Sequence, residues 1–356
     1  AADALIWGQL ACGGWQYSID FDPTESRECY YRRDLLAGIP KREDQRDQGT
    51  FDDDTTQSAT CFLIAIAEAS REQPHRDAAE YALDFILRAQ FENGAWPQRY
   101  PLSESGYSRY YTFNDRAIND CIATMLEAWR AWGHERYSQS ALRGGDFIIA
   151  SQLAPPQAGW AQQYDWDMNP AWARKFEPPA VCAADTSSNI RTLVDLYLET
   201  GVTRYLEPIP AAIAWLEQSQ IAPGRWARFY ELGTNRPLYF NRKYELVYTA
   251  DNLPTHYSFQ GSYGVKENVQ YYERVRSMGR DAYLAQQSRP LSAEEKQRNL
   301  AELEPRVREI LAALDEQGRW LESDGWIHSK TFIRNVGVLS HYLALAAAAA
   351  PAGASG

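Results

Sequence analysis

Residues 91–101 read Phe91-Glu92-Asn93-Gly94-Ala95-Trp96-Pro97-Gln98-Arg99-Tyr100-Pro101, and the reading of this stretch decides the fold. It follows a run with helical spacing, and its glycine and prolines punctuate a turn, so Trp96 and Tyr100 sit on a stiff corner. The corner recurs. Gly13-Gly14-Trp15-Gln16-Tyr17 precedes it, Gly159-Trp160-Ala161-Gln162-Gln163-Tyr164 and Gly224-Arg225-Trp226-Ala227-Arg228-Phe229-Tyr230 follow, and Gly318-Arg319-Trp320 is a fainter copy. The tryptophans are 81, 64, 66 and 94 residues apart, with two helical patterns between the middle ones. A recurring supersecondary unit outranks other signals in a sequence; here it is helix, turn, helix, then a Gly-x-Trp corner returning to the same end. Solenoid repeats run to about 34–47 near-identical residues, and these units are longer and irregular. The expected fold is therefore all-α, an (α/α) toroid of helical hairpins with irregular loops and short strands around a cleft at one end.

The 356 residues suit one large domain, taken as 1–356 with a loop-rich segment over 1–50 and a frayed tail over 350–356. A 45% apolar and 13% aromatic composition supports a sizeable core. No run of about 18 apolar residues occurs, so no membrane span is expected. The start, AADALIWG, carries no initiator Met and no basic-then-apolar leader; a mature secreted or periplasmic protein, monomeric, is the expectation. The five cysteines are scattered without metal-type spacing and read as buried free thiols. A net charge of −11 argues against nonspecific nucleic-acid binding and obliges any anionic ligand to meet a local concentration of cations.

Helices are expected over 57–72 and 77–91, broken at Gln73-Pro74, and over 115–132, 136–153, 186–200 and 203–220, with Thr186 and Thr203 as N-caps. Residues 228–290 break the rhythm with short strand-like pieces such as Leu246-Val247-Tyr248. A last helical pair, 293–315 and 329–349, encloses Trp320. The run Phe51-Asp52-Asp53-Asp54-Thr55-Thr56-Gln57 opens the first hairpin, where carboxylates suit a helix start.

Three features bear on chemistry. Trp96 and Trp160, with Trp15 and Trp226, would offer flat apolar faces rimmed by Gln98 and its counterparts, suited to sugar, against the plainer reading of packing at hairpin ends. Asn114-Asp115 opens a helix after an aromatic segment, and Asp165 ends the Trp160 corner as Tyr100 ends the earlier one. Two acids in one cleft suit either a hard divalent cation or the carboxylate pair of a glycoside hydrolase. Arg225, Arg228, Arg236, Arg242 and Lys243 cluster around aromatic residues in an acidic chain, an anion clamp whose guanidinium forks match carboxylates; Arg334 is a further candidate.

At these residues the chain resembles the pectic acid lyases of polysaccharide lyase family 10. FENGAWPQRYP is similar to that family's "NGGWPQ-YP", YTFNDRAIND to "ITFND-AM", and TFDDDTTQ to "DNGAT-TQ". GWAQQYDWDMNPAWARKFEPPAV resembles "W-AQYD---L-PAWAR-YE-PS", and WARFYELGTNRPLYF resembles "ARFYE--TNRP-F". The matches keep their order from about residue 50 to residue 240. The resemblance implies a toroid that cleaves polygalacturonate, an α-1,4-linked acidic polysaccharide, by anti β-elimination with calcium. It also implies Asp115 and Asp165 as cation holders and an arginine base, with Arg228 first in line and Arg242 and Arg334 as carboxylate partners or rival bases. Trp96, Gln98, Asn114, Trp160 and Arg236 would line the substrate. An arginine base needs its pKa of about 12.5–13.8 lowered, which neighbouring cations and burial would do. The sequence departs from the pattern at Ala95, at Asp53 and after Arg242, where FNRKYELVYTADNLPTHYSF replaces an expected "GRDG". The alternatives are a glycoside hydrolase using Asp115 and Asp165, or a catalytically impaired polyuronate-binding protein.

Overall fold

The computed structural model describes residues 1–22 and 25–349; the tail expected over 350–356 lies outside them. The chain divides into two compact units, Ala1–Tyr283 and Leu284–Gly356. Among the described residues the helices are α1 (Ala2–Trp7), α2 (Arg32–Leu36), α3 (Thr55–Ser70), α4 (Gln73–Ala89), α5 (Ala117–Trp132), α6 (Glu135–Ala150), α7 (Ala183–Thr200), α8 (Ile209–Gln218), α9 (Val265–Met278), α10 (Arg280–Ser288), α11 (Ala293–Ala312) and α12 (Ser329–Ala349).

In the first unit α3 and α4, α5 and α6, and α7 and α8 form hairpins, and α3, α5, α7 and α9 pack in succession as an inner row. The class is all-α, that of an (α/α) toroid. Apolar residues at three-to-four spacing explain the burial: Ile118, Cys121, Ile122 and Met125 of α5 face inward, as a 3.6-residue period requires. Gly133 and Gly201 end α5 and α7 in the left-handed conformation that glycine adopts without a Cβ penalty. In α6, Gly144 lets the helices approach closely, since a Cβ there would stand 2.6 Å from Ile122 and 2.8 Å from Trp96.

The corners make each hairpin a closed unit. The strand Arg99–Tyr100 pairs antiparallel with Gly49–Thr50, which leads into α3. Gln163–Tyr164 pairs with Tyr111–Thr112, which leads into α5. Phe229–Glu231 pairs with Ala180–Cys182, which leads into α7. Each chain segment leaving an outer helix is thus tied to the one entering the preceding inner helix, and the loops gather at one end.

The tryptophans tie the corners down. Trp96 Nε1 donates to Ile86 O (2.8 Å), Trp160 Nε1 to Ile148 O (2.7 Å), Trp226 Nε1 to Leu216 O (2.6 Å) and Trp15 Nε1 to Leu5 O (2.9 Å). In the second unit, Trp320 Nε1 does the same to Ile310 O (2.8 Å). Every acceptor lies in the last turn of the preceding helix, where carbonyls have no intrahelical partner. Tyr164 adds a second tie, its hydroxyl donating to Ser151 O (2.7 Å) and accepting from Ala161 N (2.8 Å); Tyr230 repeats this with Ser219 O and Ala227 N. Pro97 lacks an N–H, so Tyr100 cannot copy it.

Several expectations change. Thr186 lies within α7, its hydroxyl accepting from Trp160 N (3.0 Å), and Thr203 opens a short 3-10 turn before α8. Residues 265–288, expected to be irregular, form α9 and α10; α9 buries Val265, Tyr272 and Val275, a stripe diluted by charged residues. The second unit holds α11 and α12 packed together. All five cysteines are free, as expected, and no helix of the described residues is long and apolar enough to cross a membrane.

Replacing Trp160 by Phe removes the indole N–H and part of the buried ring, and leaves the Ile148 carbonyl only its 3.2 Å bond from Ser151 Oγ. The expected cost is about 1–3 kcal/mol in denaturant unfolding, while Trp172→Phe, at an exposed position, should stay within about 0.5 kcal/mol.

Candidate active site

Two copies of one turn build the acidic wall. Thr50-Phe51-Asp52-Asp53-Asp54 precedes α3 and Thr112-Phe113-Asn114-Asp115-Arg116 precedes α5. Asp53 (φ 50°, ψ 34°) and Asp115 (φ 46°, ψ 33°) are left-handed, as are Asp54 (φ 57°) and Arg116 (φ 63°). Non-glycine residues in this region carry strain, with Asp and Asn the best tolerated, and such strain gathers at functional sites. The threonine hydroxyls accept from the amides of Asp52 (3.2 Å) and Asn114 (3.1 Å). The Phe51 amide donates to Gln98 O and the Phe113 amide to Gln162 O, each at 2.9 Å. At the third corner the Ala183 amide donates to Arg228 O at 2.9 Å. Arg228 therefore occupies the place that glutamine holds in the two earlier corners.

The turns lie side by side, and with the start of α7 they line a cleft of about 470 Å³ containing Asp53, Asp115, Asp185, Arg116 and Arg228. Burial, then Asp52, Asp53 and Asp185, push the Asp115 carboxyl up to about 6 against the opposing pull of Arg228. Asp185 is raised too, by burial above all, and its Oδ2 is buried without a partner among the described residues. A larger cavity of about 580 Å³ lies beside α1 and is lined by uncharged side chains such as Leu5, Phe21 and Phe62. Size favours that cavity; the ionisable groups favour the smaller cleft.

Arg228 corrects one expectation. Burial opposes its charge, but Cys182, Tyr257, Asp185 and Tyr263 outweigh it and its pKa is raised. Of these neighbours Asp185 is the carboxyl; burial pushes it, the Cys182 thiol and both phenols upward, and Arg228 pulls each of them down. No cation among these neighbours lowers it, so Arg228 rests as a guanidinium. Beside it, Arg174 Nε and Nη2 bind Glu177 at 2.7 and 2.6 Å. Burial alone would raise the Glu177 carboxyl, and the paired Arg174 holds it below the usual range. Tyr257 donates to Glu177 Oε1 at 2.9 Å.

The cleft unites Asp115 and Arg228. Gln98 and Asn114 support it from within: Gln98 Nε2 donates to Asp52 Oδ1 (2.9 Å) and Asn114 Nδ2 to Asp115 Oδ2 (2.6 Å). Trp96 and Trp160 are each 0% exposed and are helix anchors, so their expected role as sugar platforms gives way to packing. Asp165 stands apart from the residues lining the cleft, its Oδ1 taken by the amides of Asp167 (3.0 Å) and Asn169 (2.9 Å); Tyr164, one residue earlier, is the counterpart of Tyr100. Arg236 pairs with Glu231 and lies over Tyr248, and Arg242 is exposed on the turn after Phe240. Arg334 belongs to the second unit, beside Asn335.

Sequence reading passed over Asp185, Arg174, Glu177 and Tyr257. Arg174 and Glu177 were visible as opposite charges three residues apart; Asp185 and Tyr257 had no local signal. No three His, Cys, Asp or Glu of the described residues meet as a ready metal cage. The carboxyl groups of Asp115, Asp53 and Asp185, which line one cleft, are nevertheless of the oxygen-donor type that a hard cation takes.

The family model described as pectic acid lyase matches residues 9–225. The family 10 polysaccharide lyase from Cellvibrio cellulosa has a similar fold, with TM-score 0.61, 22% identity, and 77% of this chain and 91% of that one covered. A mutant of that lyase in complex with trigalaturonic acid matches with the same TM-score and identity over 77% and 92% of the two chains. No curated protein matches the chain.

A raised carboxyl has a stability consequence. Since the folded-state pKa of Asp115 exceeds its unfolded value, its contribution is full below about pH 4 and is lost as pH rises through about 6. Asp115→Asn should therefore melt at higher temperature than the parent at about pH 8, and the two curves should converge towards about pH 4.

Proposed function

The chain belongs to the pectic acid lyase family and is a polysaccharide lyase, and we propose that it cleaves polygalacturonate by anti β-elimination with Arg228 taking the C5 proton. What supports this most is one cleft in which Arg228 faces Asp115, in a family whose name is that of an acid polymer's lyase. The similar lyase in complex with trigalaturonic acid supports the same substrate class. A polymer of this kind would be met outside the cytoplasm, in keeping with a secreted or periplasmic monomer.

The C5 proton of a galacturonate lies α to its carboxylate and the glycosidic oxygen on C4 lies β to it. Abstraction puts charge on the carboxylate, and expulsion of the C4 oxygen leaves an unsaturated uronate. Positive groups at the carboxylate lower the barrier because the charge they meet grows in the transition state. Arg228 is the cleft cation best placed to meet that charge, since Arg116 is paired with Asp120 and Arg174 with Glu177.

Arg228 must be neutral to accept a proton. Its raised pKa comes from the acids around it, and burial works the other way. Neutralising Asp115 and Asp185 leaves burial to favour the uncharged guanidine. Calcium, held by Asp115 with Asp53 or Asp185, would supply that neutralisation and a Lewis acid for the substrate carboxylate. Asp165 is the less suited ligand, being committed to its own turn.

Release of ultraviolet-absorbing unsaturated product from polygalacturonate at alkaline pH, with calcium and then with chelator, tests the reading. Arg228→Ala should lower kcat by roughly 10²–10⁴. Calcium should raise the melting temperature of the parent and leave that of Asp115→Asn unmoved. Binding without absorbance would instead support the polyuronate-binding alternative.

A further inference from the structure

The segment 241–260, where the sequence departs from the family pattern, ends against the strand that leads into Arg228. The Arg228 amide donates to Phe259 O at 2.9 Å, and Gln260 pairs with Ala227, so Tyr257 is carried beside the Arg228 side chain. The Arg228 guanidinium lies 4.8 Å from the Tyr257 ring centroid, and that of Arg174 lies over the same ring at 5.6 Å. The ring is fixed on several sides: Phe176 at 4.8 Å, Phe259 at 4.9 Å and, in parallel, Phe229 at 6.4 Å. Its hydroxyl is anchored on Glu177, which Arg174 holds in turn.

Arg228 has few other restraints. Its Nε is buried without a partner among the described residues, and no salt bridge holds its guanidinium there. A long, flexible side chain without hydrogen-bonded anchors loses rotamer entropy when it is fixed, so something else must set its position.

We infer that Tyr257 is the positioning residue of the proposed elimination, its ring face orienting Arg228 and spacing it from Arg174. The choice of an aromatic face has a chemical reason. A carboxylate in that place would fix Arg228 through an ion pair and hold its proton more firmly, whereas a ring quadrupole attracts the cation with no full negative charge. Tyr257 stays a neutral phenol, because burial above all, with Glu177 adding, raises its pKa against the pull of Arg228. The hydroxyl acts only to lock the ring on Glu177.

This inference rests on Arg228 being the base, so its test has one arm that does not depend on turnover. Tyr257→Met removes the ring face and keeps apolar bulk; Tyr257→Phe keeps the face and loses the lock. Tyr257→Met should lower kcat on polygalacturonate by roughly 10–100-fold, the scale of a misplaced reacting group, with KM changed less than about threefold. Tyr257→Phe should keep kcat within about threefold. In the second arm, the Arg228 Nε–H nuclear magnetic resonance signal, assigned by its loss in Arg228→Lys, should be sharp and ring-shifted in the parent and in Tyr257→Phe, and broadened in Tyr257→Met. Parental kcat in Tyr257→Met, or an unaltered Arg228 signal there, would overturn the inference. So would a loss above about tenfold in Tyr257→Phe, which folds around the same ring and carries the test even if Tyr257→Met destabilises the chain. A parent inactive on every polyuronate but with the expected resonance behaviour would overturn the elimination and leave the positioning of Arg228 standing.

Discussion

The indole N–H of each corner tryptophan bonds to a carbonyl in the last turn of the helix before it, and the architecture of the first unit depends on that bond. A helix end leaves carbonyls without partners, and burying one unpaired is costly. Trp96, Trp160 and Trp226 each supply an indole donor to such a carbonyl and at the same time fill the space between hairpins. Their rings are buried because they serve the helices, and the next residues of each corner are free to reach back to the strand entering the hairpin. Repetition of that device brings the left-handed turns at Asp53 and Asp115 and the backbone of Arg228 to one end.

The same repetition explains how a site arises from a packing motif. Gln98, Gln162 and Arg228 hold equivalent places two residues after a corner tryptophan, and their carbonyls accept from Phe51, Phe113 and Ala183. The first two side chains are neutral and buried; the third is charged and borders the cleft. One change of residue type within a repeated frame thus places a charge at the edge of the cleft. Around it, Asp52, Asp53 and Asp185 add to burial in raising the Asp115 carboxyl, and Arg228 opposes them. In the proposed elimination, a substrate or cation that altered these charges on arrival would alter the protonation of Arg228.

Much of this was legible in the chain. The Gly-x-Trp repeats and three-to-four apolar spacing gave the hairpins within a few residues, because helical period and turn chemistry are local. The similarity of YTFNDRAIND and WARFY to the pectic acid lyases pointed to Asp115 and Arg228. Helix α9 escaped because its buried stripe of Val265, Tyr272 and Val275 is thin among charged neighbours, and burial rests on packing against α7.

By itself the sequence determined the class of fold and, through motif resemblance, the family, and it singled out Asp115 and Arg228, since these follow from short-range patterns. Tertiary structure alone decided what each side chain faces. It turned Trp96 and Trp160 inward, because an indole that must cap a helix cannot also present its face to a sugar. It left Asp165 folded on its own turn, and it brought Asp185, Glu177 and Tyr257 to Arg228 from segments far apart in the chain. The charge state of Arg228 was likewise a tertiary decision: pKa depends on which ionised groups come near in space, and no spacing along a sequence states that distance.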